Sequence, residues 1–391
     1  LLEPLGGAGA GNGTYSSGET YTIDKTPPVA ILQPAGGQAN PTDSLPITFE
    51  ITVSGATSGT VDLADIVRSG TASGGTVSKF GSLVFVNGLT GEGTVVLQVA
   101  ADTAFDDAGN GNLLSSNPDN FVIYDTSGPD TLSIVRAGPS PTASASLDFT
   151  VTFDESVTGV NAGDFSPVLV SGTLTGLTVS GVSGSGDTYT VTVGVSATGE
   201  GVVRLDLVDD GSIQDVFGRP LESGDFTTGE TYTVERTPPM VDSVIRLDAS
   251  PTNAATVRYA VAFTESVTGV DTGDFALTVS GVTGAFVDSV SGSGAVYTIT
   301  VNTGSGSGTI RLDVLDDNSI SDGAGNPLGG PALGDGAYTS GPAYPIDRSA
   351  PTVTVNQAAT QTDPTSTVPI RFTVLFSESV VGFDASDVVL S

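Results

Sequence analysis

Apolar and polar residues alternate along short runs throughout this chain, and the runs return in the same order. VRYAVAF at residues 257–263 is the clearest case. Val257, Tyr259, Val261 and Phe263 fall on one face of an extended strand, and Arg258, Ala260 and Ala262 on the other. Around it the same alternation predicts strands at 240–247, 275–279, 285–290, 296–301, 309–315 and 344–346, with Gly-, Asn- and Pro-rich turns between them. The preceding stretch repeats the order with LDFTVTF, YTVTV and VVRLDLV. No run carries helical periodicity. About seven short strands per repeat predict an all-β chain, a tandem array of immunoglobulin-like β-sandwich domains forming an elongated rod. Tyr189, Tyr232 and Tyr297 lie in these strands beside Thr and Val, and read as half-buried rings of the sandwich, not as a ligand platform.

The repeat is most visible at residues 311–347, where a strand leads into DDNSISDGAGNPLGG, a second strand and an acidic linker. It returns at 203–239 (VRLDLVDDGSIQDVFGRPL…TYTVERTPP) and more loosely at 96–129 (VLQVAADTAFDDAGNGNLL…FVIYDTSGP). A recurring supersecondary unit marks an array. The expected division is residues 1–28, the last strand and linker of a preceding repeat; 29–129, 130–239 and 240–350, three full repeats; and 351–391, the first part of another. The chain thus reads as a section of a longer one, starting at Leu1 and not at an initiator Met. The linkers KTPP, RTPP and RSAP are short and proline-stiffened, so neighbouring domains should abut.

Charge narrows the function classes. Asp and Glu number 44 against 12 Lys and Arg, for a formal net charge of −32. Such a surface repels phosphates and anionic headgroups, so nucleic acid is not an expected partner, and no apolar run is long enough for membrane insertion. With no Cys and no His, thiolate and imidazole metal sites and Ser–His or Cys–His nucleophile systems are excluded, leaving oxygen-ligand metals such as Ca²⁺. Paired carboxylates can hydrolyse glycosides, but here they recur in loops of every repeat and Trp is absent. The expectation is no enzyme. The GSGSG stretches join strands, with no Lys and no helix after them, so they are turns and not phosphate loops.

The phrases FDESVTGVNAGDF (153–165), FTESVTGVDTGDF (263–275) and FSESVVGFDASDV (376–388), the DAGN and GAGNPLGG loops and the YTIDKTPP linkers resemble the tandem bacterial immunoglobulin-like repeats of large surface and secreted adhesins. The resemblance covers essentially the whole chain. It implies an extracellular stalk, surface layer or filament component at the cell surface, commonly rigidified by Ca²⁺ at domain junctions. The first repeat departs from it: ITFEITV is followed by SGATSGTVDLADI, without the Glu.

In an immunoglobulin-type topology the loops after the second and sixth strands return to the end where the preceding linker enters. Glu265, Asp316, Asp317 and Asp322 should therefore approach Glu235 of the incoming linker, with Asp274 just beyond. The matching set one repeat earlier is Glu155, Asp209, Asp210, Asp215 and Asp125, with Asp164 beyond it. Asp347 and Glu378 belong to the following junction, and Asp24, Asp102, Asp106 and Asp107 to a weaker first one. Ca²⁺ takes six to eight oxygens from flexible loops and would relieve the repulsion at such a junction. DDNSISDGAGN has neither the opening DxDxDG nor the closing Glu of an EF-hand, and solvated Asp turns are the alternative to junction calcium. The leading function is a non-catalytic structural component of an extracellular rod. Its partners are the adjacent repeats and possible lateral or head-to-tail copies of itself. A glycan- or protein-binding adhesive module, or accessory repeats of a secreted enzyme, are the competing readings.

Overall fold

The structure, a computed structural model, describes residues 17–390. Among these residues the regular elements are β-strands and a few 3₁₀ turns, and no helix is long and apolar enough to cross a membrane. The chain forms two compact units, Leu1–Pro129 with Gln214–Glu222, and Asp130–Ile213 with Ser223–Ser391.

In the first unit one antiparallel sheet runs in the order Val29–Pro34, Ile47–Ser54, Leu83–Leu89, Gly74–Phe80, and a second in the order Ile66–Ser69, Gly93–Val99, Phe121–Tyr124. The inward positions of these strands, among them Leu32, Phe49, Val86 and Leu97, are fully buried and form one core.

The second unit contains two sandwiches built to the same plan. In the one nearer the C-terminus, Val241–Arg246, Thr256–Val267 and Phe286–Asn302 make one sheet, and Phe275–Ser280, Gly308–Val314 and Ala343–Ile346 the other. The alternation at 257–263 works as its period requires: Val257, Tyr259, Val261 and Phe263 are all buried, opposite Ile310, Leu312 and Val314 of the facing sheet. The other sandwich pairs Thr131–Arg136, Ser146–Val157 and Thr178–Gly194, and separately Phe165–Gly172, Gly201–Leu207 and Thr231–Val234.

One expectation changes. The separate strands at 285–290 and 296–301 are one continuous run, Phe286–Asn302, that doubles back at Gly292 and Gly294, where φ is +133° and +70°. The matching run Thr178–Gly194 shows the fold-back directly: Ser180 Oγ donates to Thr192 O at 3.1 Å. A straight strand would separate these residues by roughly 40 Å. A Cβ on Gly292 would lie 2.5 Å from Val296 O, which is why the turn is glycine.

The tyrosines are more deeply placed than half-buried. Tyr189, Tyr232 and Tyr297 are 9%, 3% and 8% exposed. Each ring can bury because its hydroxyl finds a backbone acceptor: Tyr189 donates to Val157 O, Tyr297 to Val267 O and Tyr232 to Asp148 O, all at 2.9 Å.

At the ends, residues 17–28 carry no strand, and Tyr21 and Ile23 are exposed. The expected opening strand thus has no pairing partner among the described residues, and its first part lies outside them. Val353–Gln357 and Phe372–Phe376 pair with each other alone.

Candidate functional site: an acidic clasp at the linker

The site grows from a five-residue loop. Asp322-Gly-Ala-Gly-Asn326 closes on itself: the Asp322 N–H donates to Asn326 O at 3.0 Å, while Asp322 Oδ1 accepts the N–H groups of Ala324 and Asn326 at 2.9 and 2.8 Å. The Asn326 side-chain amide completes the ring, donating to Asp322 Oδ2 at 2.8 Å. Gly325 turns the chain with φ +91°. Asp322 and Asn326 are both buried, 5% and 7% exposed. A buried carboxylate with this many donors is satisfied before anything else binds.

The loop then grips the incoming linker. Asn326 Nδ2 also donates to Glu235 Oε2 at 2.8 Å and to Glu235 O at 3.3 Å. Gly329 N–H donates to Pro239 O at 2.9 Å, and the Ala143 N–H of the preceding sandwich donates to Ala324 O at 3.0 Å. Glu235 is itself fixed, its N–H donating to Thr142 O at 3.0 Å and its Oε1 accepting the Thr237 N–H at 2.5 Å. On the other side of Glu235, the linker's Arg236 faces backwards, donating to Ala143 O, Gly199 O and Ser144 O.

Glu265, at the end of the strand Thr256–Val267, completes the constellation: one carboxylate oxygen from each of Glu235, Glu265 and Asp322 lies within 4.8 Å of the others. Burial and then the neighbouring Asp322 push the Glu235 carboxyl up to about 7, with Glu265 adding to the effect. Glu265 is raised too, by burial first and then by Asp322 and Glu200. Asp322 moves the other way: burial opposes ionisation, but hydrogen bonds from Asn326, Glu235 and Ala324 together outweigh it and hold the carboxyl low. Three carboxylates therefore share a space that disfavours three negative charges. Hard oxygen donors converging from three separate segments suit a hard divalent cation, or else one retained proton.

The other acidic residues of this repeat do different work. Asp316 Oδ1 accepts the Asn318 N–H at 3.1 Å and its Oδ2 the N–H groups of Gly334 and Gly336 at 2.8 and 3.1 Å. Asp317 Oδ1 accepts the Ser319 N–H at 3.0 Å, and bonding to Ser319 lowers its carboxyl. Asp274 is 3% exposed and holds a 3₁₀ turn shut, accepting from the Asp271 N–H and from Ser319 Oγ, both at 2.6 Å. Asp164 is placed identically, with Asn161 N–H and Ser212 Oγ at 2.6 and 2.7 Å. Asp209 and Asp210 cap their own turn through the N–H groups of Gly211 and Ser212, each at 2.9 Å. Asp347 and Glu378 are exposed and join no group of three carboxylates among the described residues.

The clasp recurs. In the first unit Asp106 Oδ1 accepts the N–H groups of Ala108 and Asn110, and Asn110 Nδ2 bonds Asp106 Oδ2 at 2.8 Å and reaches Asp24 O at 3.2 Å. Asp102 and Asp107 are exposed. Also in that unit, Asp215 accepts from the Phe217 and Arg219 N–H groups at 2.8 and 2.7 Å, with Arg219 at the position of the asparagine. Asp125 and Asp215 lie in the first unit and Glu155 in the second; they are the register counterparts of Glu235, Asp322 and Glu265.

Reasoning from sequence passed over the fifth clasp position, Asn110, Arg219 and Asn326. The signal was present as an Asp followed four residues later by Asn or Arg across a Gly, three times in register.

No protein-family model and no curated protein matches the chain. Among solved structures it is similar to the titin domains z1z2 in complex with telethonin, at 16% identity over 49% of this chain and 90% of that one, with a TM-score of 0.18. It is also similar to domains 1–6 of the surface layer protein SbsC, at 12% identity over 90% of this chain and 63% of that one, with a TM-score of 0.15. At these scores the likeness carries no argument, and the architecture above rests on strand pairing alone.

Proposed function

We propose that this chain is a non-catalytic structural section of an extracellular array, and that Ca²⁺ held by Glu235, Glu265 and Asp322 locks a sandwich to the linker that enters it. One observation carries the reading. The three carboxylates come from a linker, a strand end and a clasp loop, so a shared ion would tie together three segments that no single hydrogen bond spans. Ca²⁺ fits the all-oxygen donor set and tolerates irregular geometry. Turning the Asn326 amide over would replace its N–H donors by an oxygen ligand, at no cost in packing.

The linkers support a mechanical role. Arg236 and Arg348 hook carbonyls behind them, Arg348 reaching Gly306 O and Ala254 O, while the preceding acidic residue faces a threonine carbonyl of the same sandwich. The division 1–28, 29–129, 130–239, 240–350 and 351–391 is proposed, each boundary falling in a short proline-containing linker that follows an acidic residue, Asp24, Asp125, Glu235 or Asp347. Adjacent repeats are then the principal partners, and the acidic surface suits exposure outside the cell.

A second reading is favoured by the Asn326 amide itself, which already bonds both Glu235 and Asp322. In that reading one proton and the amide close the site and no ion is needed. Calorimetry separates the two. If Ca²⁺ is held, its addition raises the melting temperature of the wild type and leaves E265Q unmoved; equal melting in Ca²⁺ and EDTA favours the proton.

A further inference from the structure

Three clasps share one backbone design but not one fifth residue: Asn110, Arg219 and Asn326. We propose that Arg219 is the resident cation of its clasp, so that this loop closes without a metal ion while the Asn326 clasp recruits one. The second half of that statement rests on the calcium reading above; the first half does not.

The geometry within the first unit carries it. Asp215 has a side chain 0% exposed, and Arg219 Nη1 bonds its Oδ2 at 2.9 Å. The other arm of the guanidinium, Nη2, bonds Asp43 Oδ2 at 3.0 Å. One planar fork thus answers two carboxylates from distant parts of the sequence, which neither an amide nor a lysine can do with the same geometry. The guanidinium lies 4.8 Å from the centre of the Phe217 ring, which limits its freedom to leave. Asp125 adds to the negative field around it.

The amide of Asn326 brings hydrogen bonds and no charge to an equally acidic loop. The linkers show the same exchange. Lys25, Arg236 and Arg348 follow the acidic linker residue elsewhere, but Thr126 follows Asp125. Thr126 keeps the backbone contact, its N–H donating to Glu92 Oε1 at 2.6 Å as the Arg236 N–H does to Glu200 Oε1 at 3.1 Å, but it brings no guanidinium to hook the carbonyls behind it. Where the linker carries no cation, the clasp carries one.

The test is hydrogen exchange on the full chain in Ca²⁺ and in EDTA, reading the segments 214–222 and 322–330. In the wild type, 214–222 should be protected equally in both, and 322–330 more strongly in Ca²⁺. R219N should speed exchange of 214–222 in EDTA by about tenfold or more, the value of a lost charge-assisted bond to a buried carboxylate. R219K, which keeps charge but not the fork, should fall between the two. N326R should make 322–330 indifferent to Ca²⁺. Unchanged exchange of 214–222 in R219N, or wild-type protection of 214–222 that needs Ca²⁺, overturns the proposal. If 322–330 ignores Ca²⁺ in the wild type, the calcium reading fails, and R219N still decides the role of Arg219.

Discussion

Removing the charge of Glu235 should shrink a pH dependence that runs opposite to the usual carboxylate case, and to which Glu265 contributes in the same direction. Glu235 is held at about 7 in the folded chain against 4.5 for the free side chain. Between those values the folded state keeps a proton that the unfolded state has released. Stability contributed by this group is therefore complete below 4.5 and lost as the pH rises through about 7. The full difference corresponds to at most about 3 kcal/mol. Glu235 is only partly buried, and solvent screening reduces this to on the order of 1 kcal/mol. For a sandwich of this size that is a fall of about 4–8 °C in melting temperature. Differential scanning calorimetry in EDTA, stepped from about pH 5 to about pH 8, reads it directly. E235Q should shrink the slope, and saturating Ca²⁺ should flatten it in the wild type, because a bound cation replaces the proton. A slope of equal size in E235Q would refute the assignment to Glu235.

Three further substitutions check the frame that holds the site. Tyr344 is fully buried, its hydroxyl accepting from the Asp248 N–H at 2.7 Å and donating to Arg258 O at 2.8 Å. Y344F orphans both groups and should cost about 1–3 kcal/mol by chemical denaturation. Gly269 sits at φ +85° with a notional Cβ only 2.1 Å from Ser319 O, so G269A should cost about 2–3 kcal/mol and loosen the loop 315–322 in hydrogen exchange. Leu312 is 0% exposed in the centre of the core, and L312A should cost about 2–5 kcal/mol without changing Ca²⁺ affinity per folded molecule.

Strands were legible wherever one face is buried, because burial enforces a period of two. The run 257–263 is the example, and 353–357, whose residues are all exposed, shows the same alternation without a core to enforce it. The ribbon 286–302 escaped because its fold-back is made by glycines inside a paired segment, which local pattern reads as a break between strands. Topology was enough to bring Glu265 and Asp322 towards Glu235, since all three follow from which end of a strand they occupy. It was not enough to sort carboxylates within a loop. Asp274 and Asp316 look like Asp322 in sequence, yet their hydrogen-bond partners, Ser319 Oγ for one and the Gly334 and Gly336 N–H groups for the other, are chosen by chain closure. Asn326 and Arg219 were invisible for the opposite reason: turn residues are expected in turns, and only their distant partners reveal their task.

Whether Ca²⁺ closes the clasp can be read from a crystal structure of the chain grown in Ca²⁺, with anomalous scattering used to locate the ion. Such a crystal should show a cation bounded by Glu235, Glu265 and Asp322, with the Asn326 oxygen turned towards it. A site closed instead by the Asn326 amide alone, with no anomalous signal among the three carboxylates at millimolar Ca²⁺, would contradict the calcium reading.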